Sequence, residues 1–419
     1  MKKPDRLFFR RMAICITGLA LLLYSGTATA QVVPAADTTA LSGKNASALD
    51  LLSSMDAFDV VNLLLRRNLV RQEGKAARFS FIPGLGWAPQ NGWTASVSAV
   101  LAFEKRQAPP GQKTSNIIAG FTYTQRDQVI APFHVILWTR GNRLNLALHG
   151  RYMRFPSKTY GLGADTRKED GCTVNYDYLK LHPTVLWRLR PNLYAGPVYF
   201  FDYLQHVREE DLAPGRVTDY QRYGLERSNV SSGLGLRVLF DSRRNIIKPV
   251  NGWFASATLR VNREALGSTN NWNSLVVEAR HYLPLPRTSR NVLAFWSYNW
   301  FTPGAGKPPY LLLPSNSWDD WHNTGRGYVQ GRYRGRNMIY FETEYRVELL
   351  RNGLLGGVAF ANMQAYPDKP LRGLGRVLPG IGAGLRIKLD KFSGTNMALD
   401  YGIGANGSGA ISMNLGEVF

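Results

Sequence analysis

Four arginines crowd one stretch of this 419-residue chain, at Arg326, Arg332, Arg334 and Arg336, and Glu342, Glu344 and Glu348 follow closely. A guanidinium pairs bidentately with phosphate or with carboxylate. The stretch therefore reads either as a phosphate-binding loop or as a set of cations balanced by the nearby acids inside the fold, and the second reading is preferred. Other chemically able groups do not converge. The six histidines (134, 149, 182, 206, 281 and 322) show no spacing that makes a catalytic pair or a metal site, and Cys172 reads as a bystander thiol. No catalytic residue, metal or cofactor is expected, and the chain is not expected to be an enzyme.

The elements that must position these charges are strands. In 381–390, Ile381, Ala383, Leu385, Ile387 and Leu389 share one face, while Arg386, Lys388 and Asp390 share the other. In 339–349, Phe341, Thr343, Tyr345, Val347 and Leu349 oppose Glu342, Glu344, Arg346 and Glu348. The stretch 253–262 divides in the same way. Period-two alternation marks a half-buried strand, but it suits a soluble sandwich as well as a membrane barrel, so the organisation of the whole chain must decide.

Segments of this kind begin near residues 78, 91, 113, 128, 143, 173, 192, 228, 252, 272, 290, 336, 353, 378, 395 and 409, which makes sixteen. The long gaps, 156–172, 205–227, 303–335 and 366–377, all follow odd-numbered segments. Short turns such as Arg190-Pro191, Arg351-Asn352 and 391–394 follow even-numbered ones. Transmembrane barrels have short periplasmic turns and longer extracellular loops, which places both chain ends of the barrel on the periplasmic side. A sheet in lipid must close so that its backbone polar groups are paired. The expected fold is all-β: a 16-stranded antiparallel transmembrane β-barrel over 78–419. Its lumen is lined by charges of both signs, among them Arg143, Arg151, Arg237, Arg260, Arg280, Arg386 and Lys388 with Asp241, Glu278, Glu342, Glu344 and Asp400. The chain ends in Phe419, a terminal aromatic read as the C-terminal assembly signal at the end of a strand running from Ile411.

Residues 1–30 have the form of a secretory signal peptide: basic residues up to Arg11, an apolar run from Met12 to Tyr24, and Ala28-Thr29-Ala30 before the expected cleavage. The formal charge of the chain is +21; the signal peptide accounts for +4 of it (five Lys or Arg less Asp5), which leaves +17 after export. Export argues against nucleic acid as the partner and favours anionic lipid headgroups, with Arg and Lys in 156–172 and 205–227 as candidates. Only Cys172 remains after cleavage, so no intramolecular disulfide can form. Residues 31–77 lack strand alternation. Within them, 48–67 shows helical spacing of Leu51, Leu52, Met55, Phe58, Val61 and Leu65, with aspartates towards its start and arginines at its end, an order that suits the helix dipole. This periplasmic segment is read as a short amphipathic helix at the rim, with a lumen plug or a partner-binding helix as alternatives.

Gly325-Arg326-Gly327-Tyr328, then Gly331 to Asn337 and Glu344-Tyr345-Arg346, resemble the BamA/TamA-like outer-membrane assembly and translocation superfamily, the bacterial surface antigen barrels. Further similarity lies in 83–93, in Asp241, Arg243, Pro249 and Gly252 at the eighth turn, and at Gly416 to Phe419, so that it extends over about 78–419. The resemblance implies that the loop between strands eleven and twelve folds inward and that Arg326 meets acidic groups on strands twelve and thirteen. Glu344 matches the first of these. Asn362 stands where the second acid is usual, which implies a weaker hold on Arg326, and Gly325 replaces the usual Val or Ile. Members that insert or move proteins carry periplasmic POTRA domains, and the 47 residues of 31–77 hold none, so the chain is similar to a barrel-only form.

The resemblance implies a role in outer-membrane biogenesis, inserting or translocating proteins or lipids through a weak seam between first and last strands. Pro83, Gly84, Gly86 and Pro89 reduce the ladder-forming capacity of the first strand. The alternative is a passive channel or a lipid-contacting structural barrel. Expected partners are outer-membrane lipids, the barrel-assembly machinery during insertion, and a second copy in a homodimer.

Overall fold

A computed structural model describes Asp56 and residues 77–419, apart from 89–91, 104–108, 110, 211, 213–214, 244, 247, 286–290, 318–323 and 391–394. The expected signal peptide, and the expected helix at 48–67 except for Asp56, lie outside the described residues.

Sixteen long strands account for most of the rest. The first eight are β1 (Ala77–Ala88), β2 (Gly92–Phe103), β3 (Ser115–Thr124), β4 (Val129–Trp138), β5 (Leu144–Arg154), β6 (Cys172–Arg190), β7 (Leu193–Glu210) and β8 (Asn229–Asp241). Then follow β9 (Gly252–Asn262), β10 (Trp272–Pro284), β11 (Val292–Phe301), β12 (Met338–Glu348), β13 (Leu355–Ala365), β14 (Val377–Asp390), β15 (Thr395–Gly404) and β16 (Gly409–Leu415). Each begins within two residues of the position read from the sequence. Among the small elements not anticipated are a three-residue strand, Ser157–Thr159, that pairs with the start of β6, and the helix α1 (Asp219–Tyr223) in the loop after β7.

Every strand pairs antiparallel with its neighbours in sequence, from β1 with β2 through to β15 with β16, in one continuous sheet. Tight turns at both ends help to make this possible. The β15 to β16 hairpin turns on Asn406 (φ 58) and Gly407 (φ 67), the positive-φ pair that a two-residue type I′ turn demands. Among the described residues no ladder joins β1 to β16, so the barrel has a seam between its first and last strands.

The two faces of the sheet answer the question left by periodicity. On β8, Leu234, Leu236, Val238 and Phe240 are exposed while Ser231, Gly233, Leu239 and Asp241 are buried. On β14 to β16, Ile381, Leu385, Leu399, Tyr401, Ile403, Ile411 and Met413 are exposed, and Arg386 and Asp400 are buried. A soluble sandwich would bury the apolar set. Here the outer face is an apolar belt and the interior holds the charges, the arrangement a bilayer selects. No helix among the described residues is long and apolar enough to cross a membrane.

The described parts of the connection 302–337 between β11 and β12 enter the interior. Its first half, Tyr310 to Leu313, packs on Phe155, Val174, Tyr176 and Trp272. Its second half brings Tyr328 and Tyr333 against Tyr298, Tyr340 and Tyr366. The expected inward-folded loop is therefore present, and it touches opposite parts of the wall.

One expected strand is shorter than read. Alternation continues from Ile411 to Phe419, but β16 stops at Leu415, and Gly416, with φ 89, diverts the last residues inward after its N–H donates a final ladder bond to the Asn396 carbonyl at 2.7 Å. Val418 and Phe419 are buried.

Candidate functional site: an ion-paired ring under the inward loop

Arg326 is held at the tip of a tight turn. Gly325 (φ 75) and Gly327 (φ 102) flank it, and the Tyr328 N–H donates to the Gly325 carbonyl at 3.0 Å. Only residues without a Cβ adopt such a φ freely, so the glycines set the direction of the arginine. Its guanidinium reaches Glu342 and Glu344 of β12, the latter at 2.5 Å, and Asp400 of β15 at 3.0 Å, and lies 3.7 Å over the Phe360 ring of β13. Burial works against the charge, but the three carboxylates outweigh it and hold the arginine pKa well above its ordinary value.

These pairs belong to a closed circuit. Glu344 also binds Arg346. Arg346 lies 3.8 Å from Glu417 in the C-terminal tail, Glu417 is 2.8 Å from Arg386 of β14, and Arg386 is 2.6 Å from Asp400. Asp400 returns the circuit to Arg326. Three cations and three anions alternate around it, each side chain at most 7 % exposed. Buried charges persist only when paired in this way. The ring ties together the loop, three strands and the tail.

A track without side chains lets the loop lie flat on the wall. A Cβ at Gly402 would stand 2.6 Å from the Gly327 nitrogen, and one at Gly404 would stand 2.4 Å from the Tyr328 ring. The Tyr328 hydroxyl donates to the Pro379 carbonyl and accepts from the Ala405 N–H at 2.8 Å. Asn362 contributes otherwise than expected: its Nδ2 donates to the Arg326 backbone carbonyl at 2.9 Å and does not meet the guanidinium. Because the loop backbone lies over β13 and β14, the side chain runs on to Asp400, so the acid expected on β13 is supplied from β15.

No family model matches the sequence, and neither does any curated protein. Solved structures do match in shape. BamA from Haemophilus ducreyi lacking POTRA domains 1–3 aligns with a TM-score of 0.52 at 14 % identity, over 82 % of this chain and 70 % of that one. CdiB from Acinetobacter baumannii aligns with a TM-score of 0.50 at 10 % identity, over 83 % of this chain and 61 % of its own. CdiB from Escherichia coli gives 0.50 at 12 %, over 82 % and 62 %. The fold is that of a BamA-like outer-membrane barrel.

In this BamA-like barrel the remaining loop arginines are used differently from Arg326. They were expected to balance Glu342, Glu344 and Glu348, but they donate to backbone carbonyls. Arg332 donates to the Thr166 carbonyl at 2.6 Å and to its hydroxyl at 2.8 Å. Arg334 is fully buried and donates through Nη1 to the carbonyls of Tyr310, Leu311 and Leu313 at 3.0 to 3.2 Å. Arg336 reaches the Gly306 carbonyl at 3.0 Å. Arg334 and Arg336 brace the loop's own backbone, and Arg332 ties the loop to the connection that follows β5.

The turn residues connect to the same ring. Asp241 accepts from the Arg243 backbone N–H at 3.1 Å and from its Nε and Nη2 at 2.9 and 3.1 Å, and Gly252 (φ 103) opens β9. The Pro249 carbonyl accepts from Arg346 at 3.3 Å. Arg346 also donates to the Phe419 carbonyl at 2.8 Å, and the Phe419 ring stacks on Trp296 with centroids 5.1 Å apart. Among the described residues no group of three or more His, Cys, Asp or Glu is placed to hold a metal ion.

Alternation had placed Glu342, Arg386 and Asp400 inward without assigning their partners. Glu417 is given no partner by the sequence, and the structure places it in the ring between Arg346 and Arg386.

Proposed function

We propose that this protein serves outer-membrane biogenesis, inserting or translocating proteins or lipids at the seam between β1 and β16. The observation that carries the reading is the ring itself: it fixes the inward loop to β12 and β15 and, through Glu417, to the tail that follows β16. An unpaired strand edge is a template for a further strand, and here the strand at that edge is attached to the element that enters the interior. Export after cleavage at Ala30 and recognition of Phe419 by the assembly machinery belong to the same reading. Recognition would act on the unfolded chain, since the folded ring of Phe419 is 3 % exposed.

Two measurements test it together. The first is planar-bilayer recording of the wild type and Arg326→Ala. The second is envelope integrity after deletion, with rescue attempted by barrels whose β1 and β16 are joined through engineered cysteine pairs. Biogenesis predicts an envelope defect on deletion that the joined barrel fails to rescue and reduction restores. A large steady conductance that changes in Arg326→Ala, with full rescue by the joined barrel, would instead establish the passive channel.

A further inference from the structure

The two ends of the barrel differ in charge far more than the composition suggests. At the end that carries the C-terminal tail and the start of β1, seven connections (104–114, 139–143, 191–192, 242–251, 285–291, 349–354 and 391–394) contain twelve Lys and Arg and a single acid, Glu104. The eight connections at the opposite end contain sixteen Lys and Arg against eleven acids. The stretches singled out from sequence as lipid-binding carry no positive excess: 156–172 holds three cations and three acids, and 205–227 holds four cations and five acids. The excess positive charge thus sits with the short turns.

Some of those cations are committed inward. Lys113 and Arg243 turn to Asp241, and Lys248 lies 3.9 Å from Glu348. Others are open to solvent: Arg140, Arg143 and Arg351 are exposed, and so are Arg188 and Arg190 at the adjoining end of β6. Large apolar side chains are exposed beside them, with Trp187 and Leu189 interleaved with Arg188 and Arg190, and Leu349 and Leu350 preceding Arg351. Apolar groups that enter the acyl region next to guanidinium groups at headgroup height form the pattern of an interfacial girdle. Each basic side chain near an anionic surface adds to the attraction.

We propose that the short-turn rim binds anionic glycerophospholipids, its exposed arginines gripping their phosphodiesters while Trp187, Leu189, Leu349 and Leu350 anchor in the acyl boundary. The occupant is a phospholipid of the leaflet at this end. Lipid A, whose phosphates share the chemistry, is the competing source.

The test uses the full chain in nanodiscs of phosphatidylcholine, phosphatidylglycerol and lipid A, extracted in mild detergent, with co-purifying lipid quantified by mass spectrometry. Phosphatidylglycerol should be enriched several-fold over bulk in the wild type. The enrichment should collapse in the triple variant Arg140→Gln, Arg188→Gln, Arg190→Gln and also in wild type at molar salt, where screening is nearly complete. It should persist in the opposite-end variant Arg216→Gln, Arg222→Gln, Arg372→Gln. Lipid A enriched in place of phosphatidylglycerol would overturn the proposal, as would enrichment that survives in the rim variant or equal loss in both variants. If the rim variant fails to fold, the single Arg190→Gln and the wild-type salt titration decide: enrichment insensitive to salt overturns it.

Discussion

Glu417 and Arg386 lie 2.8 Å apart, and this contact binds the C-terminal tail to the strand whose other partner, Asp400, holds Arg326. The third residue from the end of the chain is thereby linked, through one guanidinium and one carboxylate, to Arg326 at the tip of the inward loop. Mutating either end of this chain of contacts should be felt at the other.

Arg326→Ala leaves Glu342, Glu344 and Asp400 facing one another in the interior. Breaking a buried pair by removing one partner costs about 3–5 kcal/mol. The variant should show a lower unfolding midpoint in urea, and a second substitution, Glu342→Gln, should restore part of the loss by removing one of the stranded charges.

Glu417→Gln keeps the shape of the tail but breaks its charge link with Arg386 and Arg346. Thiol labelling of a Tyr328→Cys reporter should be faster in this background than in the wild-type tail, because the ring is opened at one point. Labelling unchanged by the substitution would show that tail and loop are uncoupled.

Gly402→Val places a side chain where the Gly327 backbone now lies. Overpacking costs about 1–3 kcal/mol when neighbours can shift, and more is expected against backbone. The loop should leave the wall, seen as protease cleavage within 302–337. Ala383→Val, on the outer face of the same sheet, should leave cleavage unchanged.

Arg334→Met removes the donor shared by three carbonyls. A buried polar group left without its partner costs about 1–3 kcal/mol. Near-UV circular dichroism from the Tyr310 cluster should weaken while the far-UV strand signal is retained.

Phe419→Ala deletes a ring stacked on Trp296, at a cost of about 3 kcal/mol. Folding into vesicles should slow and the folded barrel should also lose stability. An effect on folding rate alone would mean that the ring acts only as an assembly signal.

Much of this was legible in the sequence. The sixteen strands were legible because each is bounded by turn chemistry and because long and short connections alternate, a constraint on the whole chain that single segments lack. The inward direction of Glu344 was legible because parity along a strand is strict. The contact between Arg326 and Asp400 was not, since it depends on how a loop drapes over three strands whose relative register alternation does not reveal. The end of β16 was misread for a related reason: Met413, Leu415 and Phe419 keep the period of a strand, and only the backbone angle at Gly416 breaks it. Asn362 does meet Arg326, but at its backbone carbonyl, a contact that depends on how the turn at Gly325 and Gly327 lays the loop over β13.

Strands β6 and β7 outrun their neighbours. Arg154 of β5 pairs opposite Asp177 and Asn229 of β8 opposite Leu204, while Thr173, Val174 and Asn175 pair only with Glu210, Glu209 and Arg208 of each other's strand or with the short strand 157–159. At roughly 3.3 Å per residue, the open end of this pair extends on the order of 20 Å past the start of β8, with the strand 157–159 along its other side, and Leu311 and Leu313 pack on its inner side at Val174 and Tyr176. The inward loop is thus a tether with two moorings, one on this mast and one, thirteen positions later at Arg326, on the buried ring. The projecting end of β6 and β7 and the buried ring of charges are thereby joined through a single stretch of chain.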